Sequence, residues 1–290
     1  MPHITADGGV RLYYEESGQG TPILFVHEFM GEYRSWEAQL RYFSRRYRCI
    51  AFNARGYPPS DVPSRAEDYS FEHQRAGILA MLDGLNIDKA HIVGLSMGAF
   101  ATFYFGMKWP ERALSLTLAG IGSGSMPDTR ARFRQESEAA ATMLLAEGWA
   151  KSADVRGNSP TRVQLQNKNP RGFAEFIALV RQHSAKGSAL TLKGYQALRP
   201  ALGDFQEQMA QCRVPTLIIS GDEDEPCLDA SLMLKRHMPS AGLVFIPQTG
   251  HACNLEEPEL FNMICEKFFH QVESGQYRMR DPRATPERIL

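Results

Sequence analysis

The feature that most restricts the fold of this chain is a five-residue run, GLSMG at positions 94–98, together with its flanking segments. Residues 90–93 are apolar and predict a short buried strand, whereas residues 99–105 are apolar and aromatic and predict a buried helix. A G-x-S-x-G run between a strand and a helix is typical of a nucleophile elbow, a sharp turn that exposes the serine hydroxyl. The two glycines remove Cβ atoms that would clash in such a turn. We therefore predict that Ser96 is a nucleophile at a helix N-terminus, where backbone N–H groups favour developing negative charge.

Two candidate partners of Ser96 follow it in the chain, first an acid and then a histidine. One apolar run predicts a strand that ends in the acidic loop 221–224, and a later apolar run, 243–247, predicts a strand that is followed by His251. The carboxyl ends of strands in an open α/β sheet gather catalytic groups at one edge. We expect Ser96 to attack the substrate, His251 to accept its proton, and Asp224 to hold the imidazole in the required tautomer.

Strand-like and helix-like patterns alternate along most of the chain. Helical patterns at 36–47 and 71–85 separate apolar runs that are typical of strands covered on both faces. This alternation predicts an α/β fold with a doubly wound, mainly parallel sheet. The expected strands are residues 10–15, 23–27, 49–53, 90–93, 114–119, 214–220 and 243–247.

The alternation stops at about residue 122, and helical patterns then continue to about residue 209. We predict a core made of residues 1–121 and 210–270, a helical cap at 122–209, and a C-terminal tail at 271–290. A cap of this kind covers the site and excludes water, and Trp149 within it is a candidate pocket residue. After His251 we expect a final helix with Pro258 in its first turn. The tail is rich in arginine, and we expect it to run across the main domain or a neighbouring subunit with its arginines against surface carboxylates.

Composition narrows the class of function. The 32 basic and 33 acidic residues give a net charge of −1, which does not favour nucleic acid or an anionic membrane as a partner. No apolar run approaches the roughly 20 residues of a membrane span, and the N-terminus lacks the pattern of a signal peptide. The five cysteines have no metal-ligand spacing, and no G-x-G-x-x-G run follows a strand. We expect a cytoplasmic protein with reduced thiols that uses no metal or cofactor. The sequence leaves the oligomeric state open, and a homo-oligomer is one possibility.

These motifs resemble those of the α/β-hydrolase superfamily, and within it the capped esterases, lactonases and cofactor-free haloperoxidases. In that family the acid is usually the last residue of a G-x-x-D run, which favours Asp224 over Asp222. Some members carry the acid after an earlier strand, and Asp128 is the corresponding candidate here. The resemblance also implies an oxyanion hole made by the backbone N–H groups of Phe29 and Met97. The matching stretches are 22–27, 53–60, 94–98, 221–224, 250–251 and 254–258.

Two stretches depart from the family's pattern. Glu28 follows His27 where the family usually has glycine, and the run 53–60 carries Asn and Pro where Asp and Gly are usual. We expect His27 to organise hydrogen bonds rather than to transfer protons. Glu28 is expected to point away from the pocket and to pair with Arg34 or Arg55, and the alternative is that it contacts substrate or positions water. Both His27 and Glu28 are therefore candidate pocket residues.

The resulting prediction is a serine hydrolase that cleaves a small ester or lactone through an acyl-enzyme. One alternative is hydrolysis of a carbon–carbon bond in a ring-fission diketone by the same three residues. The family's carbon–carbon hydrolases usually carry an aromatic residue directly after the catalytic histidine, whereas Ala252 follows His251 in this chain. A second alternative, from a different class, is a receptor that retains the triad and binds a ligand without chemistry.

Overall fold

The computed structural model of the protein describes residues 2–284, and an eight-stranded sheet forms its centre. The strands lie side by side in the order β1-β2-β4-β3-β5-β6-β7-β8. Their bounds are β1 (His3–Thr5), β2 (Arg11–Ser17), β3 (Pro22–Val26), β4 (Arg48–Phe52), β5 (Ala90–Leu95), β6 (Ala113–Ala119), β7 (Thr216–Gly221) and β8 (Ala241–Ile246).

Six of these strands, β3 to β8, run parallel, and β2 pairs antiparallel with both β1 and β4. The predicted mainly parallel, doubly wound sheet is therefore confirmed. Every residue of β5 is buried, as expected for a strand covered on both faces. The sequence analysis did not predict β1, because three partly exposed residues are too few to show a hydrophobic period.

Helices cover both faces of the sheet. They are α1 (Glu37–Phe43), α2 (Phe71–Gly84), α3 (Met97–Lys108), α4 (Pro127–Glu147), α5 (Trp149–Gly157), α6 (Val163–Lys168), α7 (Pro170–Val180), α8 (Ala185–Thr191), α9 (Gln206–Gln211), α10 (Glu225–His237), α11 (Cys253–Glu256) and α12 (Pro258–Glu273). Successive strand residues point to opposite faces, so Ile92 packs in one apolar cluster with α2 and α3, while Val93 packs in another with α1 and α12. None of these helices combines the length and apolar character that crossing a membrane requires.

The chain between β6 and β7 is helical, and five of its helices, α4 to α8, lie within the predicted cap. The helical region contacts the strand ends closely. Gly187 of α8 packs against the backbone of Gly56, where an added Cβ would overlap the carbonyl oxygen. The hydroxyl of Tyr195 donates to the Met97 carbonyl oxygen at 3.2 Å. The division of the chain into core, cap and tail at residues 121–122, 209–210 and 270–271 stays a prediction.

The final helix α12 begins at Pro258, as predicted. Its side chains Phe261 and Phe268 are buried against the sheet, and Leu260 and Ile264 pack partly buried beside them. Proline suits the first helical turn because its missing N–H has no partner there in any helix. This helix closes the second face of the sheet directly after the loop that carries the candidate histidine.

The tail follows the main domain as far as residue 284, where Arg283 pairs with the Asp281 carboxylate within the tail itself, whereas Arg280 contacts backbone carbonyl oxygens. Tyr277 donates to the Thr216 carbonyl oxygen at 2.9 Å, and the Arg280 guanidinium donates to the carbonyl oxygens of Lys235 and Arg236 at the end of α10. The expectation of surface carboxylates was therefore wrong for Arg280, because the unpaired carbonyls of a helix C-terminus also attract a cation. Residues 285–290, including Arg288, lie outside the described residues.

Candidate active site

Ser96 occupies the turn between β5 and α3 with a backbone conformation that few residues other than glycine adopt. Its φ is 52° and its ψ is −112°. A Cβ added to Gly98 would overlap the carbonyl oxygen of Val26, and one added to Gly94 would overlap that of Gly98. A side chain at Gly98 would therefore push the turn away from β3, and one at Gly94 would push β5 away from the first turn of α3. The backbone N–H of Ser96 donates to the Ala119 carbonyl oxygen at 2.8 Å, which ties the turn to the end of β6.

His251 and Asp224 form a buried pair at the ends of β8 and β7. The Nδ1–H of His251 donates to Oδ2 of Asp224 at 2.7 Å; Asp224 is fully buried and His251 is 8 % exposed. This contact is the one expected, and it leaves Nε2 as the ring nitrogen that can accept a proton. Asp222 is exposed and its Oδ1 accepts the Thr249 backbone N–H at 3.3 Å, and Asp128 lies exposed in the first turn of α4.

The pKa of each group in this pair is shifted in the direction that the contact favours. Burial alone lowers the pKa of the His251 imidazole, but the charge and hydrogen bond of Asp224 outweigh burial, so the pKa is raised above that of an ordinary histidine. Burial alone raises the pKa of the Asp224 carboxyl, but His251 outweighs it, so the pKa is lowered. The pair therefore stabilises an imidazolium beside a carboxylate.

Ser96 and His251 approach each other across the end of β6. The Ser96 backbone N–H is hydrogen-bonded to the Ala119 carbonyl oxygen, and a Cβ added to the next residue, Gly120, would lie 3.3 Å from the His251 ring. Within residues 2–284, Ser96 Oγ and His251 Nε2 make no hydrogen bond. Such contacts are often long in unliganded enzymes and tighten when substrate binds.

The two backbone N–H groups expected to form an oxyanion hole, those of Phe29 and Met97, donate to no acceptor in the part of the chain that the structure describes. Tyr57 contacts both residues, since its hydroxyl donates to the Phe29 carbonyl oxygen at 2.8 Å and lies 3.9 Å from the Met97 sulfur. The Tyr57 ring also packs edge-on against His27 at 4.6 Å between centroids. The sequence analysis did not identify Tyr57, because its partners are distant in sequence.

His27 is buried and organises the loop that leads to Phe29. The Ala54 backbone N–H donates to its Nε2 at 3.0 Å, so the proton lies on Nδ1, which donates to the Glu28 carbonyl oxygen at 2.7 Å. Burial lowers the pKa of His27 to about 4. The imidazole is therefore neutral near pH 7, and both nitrogens are occupied by backbone groups.

Glu28 pairs with Arg162, which corrects the expectation of Arg34 or Arg55. The two side chains are only 2 % and 4 % exposed, and two parallel contacts join them, with Nη1 to Oε1 at 3.0 Å. Arg34 pairs instead with Glu32. Arg55 pairs with Asp7. The sequence offered no signal for this partner, because it belongs to the helical region far along the chain.

Trp149 packs beside the loop that carries Phe29. Its side chain is 2 % exposed, its indole N–H donates to Ser188 Oγ at 2.9 Å, and its ring lies 6.0 Å from that of Phe29. Its polar atom is therefore satisfied within the helical region, and its aromatic face is turned to the loop that carries a candidate oxyanion donor.

Cys227 lies close enough to the buried pair that the ligand atoms of Asp224, Cys227 and His251 fall within 4.8 Å of one another. A metal would need a thiolate here and would compete with the His251–Asp224 hydrogen bond. Burial raises the pKa of the Cys227 thiol well above its ordinary value, and its Sγ–H donates to the Gly120 carbonyl oxygen at 3.3 Å. The chemistry of this group fits a protonated thiol that supports the pair better than it fits a metal site.

Comparison with known proteins agrees with this architecture. A family model for the alpha/beta hydrolase fold matches residues 21–258. The 3-oxoadipate enol-lactonase 1 of Acinetobacter baylyi is 24 % identical over 259 residues, covering 87 % of this chain and 89 % of the enzyme. The 2-hydroxy-6-oxo-6-phenylhexa-2,4-dienoate hydrolase of Burkholderia cepacia is 26 % identical over 275 residues, covering 89 % and 91 %.

A solved structure gives the same result for the fold. The crystal structure of the enol-lactonase from Burkholderia xenovorans LB400 superimposes with a TM-score of 0.80 at 20 % identity, covering 93 % of this chain and all of that one. The sheet order, the strand-to-helix turn at Ser96 and the family match over most of the chain agree with one another. The chain therefore belongs to the α/β-hydrolase family and is a hydrolase of that type.

Proposed function

We propose that the protein is a serine hydrolase that cleaves a small ester or lactone with Ser96, His251 and Asp224. The observation that carries the proposal is the buried 2.7 Å contact between His251 Nδ1 and Asp224, next to a serine on a strained turn. A tautomer held in this way presents Nε2 as the base, and that is what a serine hydroxyl needs in order to attack. The similarity to an enol-lactonase supports the choice of substrate class.

The reaction proceeds in two halves. His251 Nε2 accepts the proton as Ser96 Oγ bonds to the carbonyl carbon, and the backbone N–H groups of Phe29 and Met97 stabilise the oxyanion. The imidazolium, stabilised by Asp224, then protonates the leaving alcohol and an acyl-enzyme remains. His251 next removes a proton from water, which attacks the acyl carbon. The imidazolium then returns this proton to Ser96 Oγ as the acyl–oxygen bond breaks, and the acid is released.

The helical region acts as a cap in this proposal. The side chains of Trp149 and Tyr195 reach the oxyanion loop and the elbow, so these helices cover the carboxyl ends of the strands. A cover of this kind strengthens the electrostatic interactions in the site by excluding water. Trp149 is the candidate that we place at the pocket wall, and Glu28 and His27 support the loop beneath it.

The experiment is a turnover screen of p-nitrophenyl esters of graded chain length, lactones and ring-fission diketones, with Ser96→Ala as the matched control. We expect ester or lactone turnover that Ser96→Ala abolishes. Faster turnover of diketones would favour carbon–carbon hydrolysis, which the similarity to the Burkholderia cepacia enzyme supports as the second candidate. A fluorophosphonate probe should label Ser96; a wild type without label or turnover would contradict the proposal and favour a ligand receptor.

We also propose a cytoplasmic location, since all five cysteines are free and buried. The oligomeric state is open between a monomer and a homo-oligomer. Light scattering on the purified protein gives its mass in solution, and a mass of one chain would contradict the oligomer.

A further inference from the structure

One segment of the helical region contacts three of the four places that carry candidate catalytic groups, namely the oxyanion loop (residues 28–31), the acid loop (221–224) and the histidine loop (248–253). It comprises the 3-10 turn Pro160–Arg162 and helix α6, and we call residues 160–168 the bracing segment. The loops follow three different strands, β3, β7 and β8. The contacts join Arg162 to Glu28 in the oxyanion loop, Gln164 to Glu223 in the acid loop, and Thr161 and Lys168 to His251 and Thr249 in the histidine loop.

The contact with the oxyanion loop is a buried ion pair. Both carboxylate oxygens of Glu28 meet the Arg162 guanidinium, and the Phe176 ring lies 4.9 Å from its central carbon on the other side. Separating such a pair leaves two uncompensated charges in the interior, which is strongly unfavourable. The pair therefore holds the bracing segment against the residue directly before Phe29.

The contact with the histidine loop is made by the backbone. The His251 N–H donates to the Thr161 carbonyl oxygen at 2.9 Å. The loop comes so close that a Cβ added to Gly250 would lie 2.5 Å from the same oxygen. Lys168 Nζ donates to Glu257 Oε1 at 2.5 Å, beyond the other end of this loop. The position of the imidazole therefore depends on where the bracing segment sits.

We propose that Arg162 and Glu28 are positioning residues whose ion pair docks the bracing segment and thereby aligns the oxyanion loop with His251. Neither side chain acts as an acid or a base in the reaction. The site is complete only when this part of the cap is docked, so cap closure and assembly of the oxyanion hole are one event. The kinetic consequences of this inference rest on the proposed function. The docking of the bracing segment can be measured without turnover.

The pair also has an electrostatic signature at His251. The Arg162 cation lowers the pKa of the imidazole and the Glu28 carboxylate raises it. Loss of the Arg162 charge therefore raises the pKa of the imidazole, loss of the Glu28 charge lowers it, and loss of both sets the two effects against each other. The charged and titratable groups that surround the ring are Asp224 from the acid loop, Arg162 from the bracing segment, Glu28 from the oxyanion loop, Cys227 from α10 and Glu256 from α11.

The test compares Arg162→Gln, Glu28→Gln and the double variant with Arg181→Gln as the matched control. Arg181 lies on the same cap in an exposed pair with Asp154. In each single variant we expect kcat for a p-nitrophenyl ester to fall by about 10- to 100-fold with little change in KM, the scale of a ~1 Å misplacement. The acid limb of kcat/KM should move to higher pH in Arg162→Gln, to lower pH in Glu28→Gln, and lie between these two positions in the double variant.

A wild-type kcat and an unmoved acid limb in folded single variants would overturn the inference. If the single variants do not fold, the uncharged double variant carries the test, because its kcat must still fall while Arg181→Gln stays like wild type. Hydrogen exchange at residues 28–31 and 248–253 provides a readout without turnover, and exchange must rise in the single variants and in the double variant but not in Arg181→Gln. If the wild type neither turns over nor takes the fluorophosphonate label, the proposed function fails and hydrogen exchange alone decides the inference.

Discussion

The Tyr57 hydroxyl donates a 2.8 Å hydrogen bond to the Phe29 carbonyl oxygen, so one buried side chain holds the residue whose N–H is a candidate oxyanion donor. The same ring packs against His27, and both ring nitrogens of His27 are hydrogen-bonded to backbone groups. A chain of buried contacts thus connects the loop after β4 with the loop after β3.

Tyr57→Phe should lower kcat by about 5- to 10-fold, because the lost hydrogen bond is worth about 1 kcal/mol and the Phe29 peptide gains freedom. The matched control is Tyr69→Phe, which removes a hydroxyl that donates to the Pro63 carbonyl oxygen at 2.9 Å. Steady-state kinetics on the best ester should show the loss in the first variant alone. Equal losses in the two variants would mean that Tyr57 acts through general stability.

Asp224→Asn should lower kcat by about 10⁴-fold, since an amide favours the wrong tautomer of the imidazole. The control is Asp222→Asn in the same loop, which changes an exposed side chain bonded only to the Thr249 backbone. We expect near wild-type turnover from this control. If Asp224→Asn stayed highly active and Asp128→Asn lost activity instead, the catalytic acid would be Asp128, after the earlier strand, rather than Asp224.

The rate should fall toward acid as His251 becomes protonated. The pKa of His251 is raised by Asp224, so the limb of kcat/KM should lie above the value of an ordinary histidine, about 6.5. The acid limb moves to higher pH because His251 must be neutral to act as the base, and a raised pKa keeps the imidazole protonated up to a higher pH. A pH titration of kcat/KM with and without a chelator measures this, and a rate that chelator abolishes would implicate a metal-bound water.

Gly98→Ala should abolish turnover and lower the melting temperature, because the added methyl group overlaps the Val26 carbonyl oxygen at the end of β3. Gly203→Ala is the control, since no heavy atom lies within 4 Å of its added Cβ and its φ is not in the left-handed region. Thermal unfolding and fluorophosphonate labelling together report fold and nucleophile. A fully active Gly98→Ala enzyme would contradict the prediction, because it would show that the Ser96 turn can move away from Val26 without loss of function.

Removal of residues 275–290 should leave kcat and KM for the ester unchanged while lowering the melting temperature. Tyr277 packs against Phe268 and donates to Thr216, and Arg280 covers the end of α10, so the tail stabilises the edge of the sheet far from Ser96. Calorimetry and kinetics on the truncated chain measure both effects. A folded but inactive truncation would mean that the tail reaches the active site.

Local patterns were sufficient to predict the sheet and the three candidate catalytic residues. The apolar runs, the glycines around Ser96 and the order of Asp224 and His251 are each visible over a few residues, because strand burial and sharp turns impose local requirements on sequence. The same reasoning missed β1, whose three residues are too few for a pattern. It also assigned the wrong partners to Glu28 and Arg280, since ion pairs are selected by proximity in space.

The sequence by itself therefore determined the fold class, the strand-to-helix turn at Ser96 and the residue types of the candidate site. Only the tertiary structure decided that Arg162 meets Glu28, that Thr161 holds His251, and that Tyr57 supports Phe29. The physical reason is that strand ends and turns depend on near neighbours in the chain. Buried charges and backbone donors, in contrast, must be satisfied by whatever group the folded chain brings within about 3 Å, however far away that group lies in the sequence.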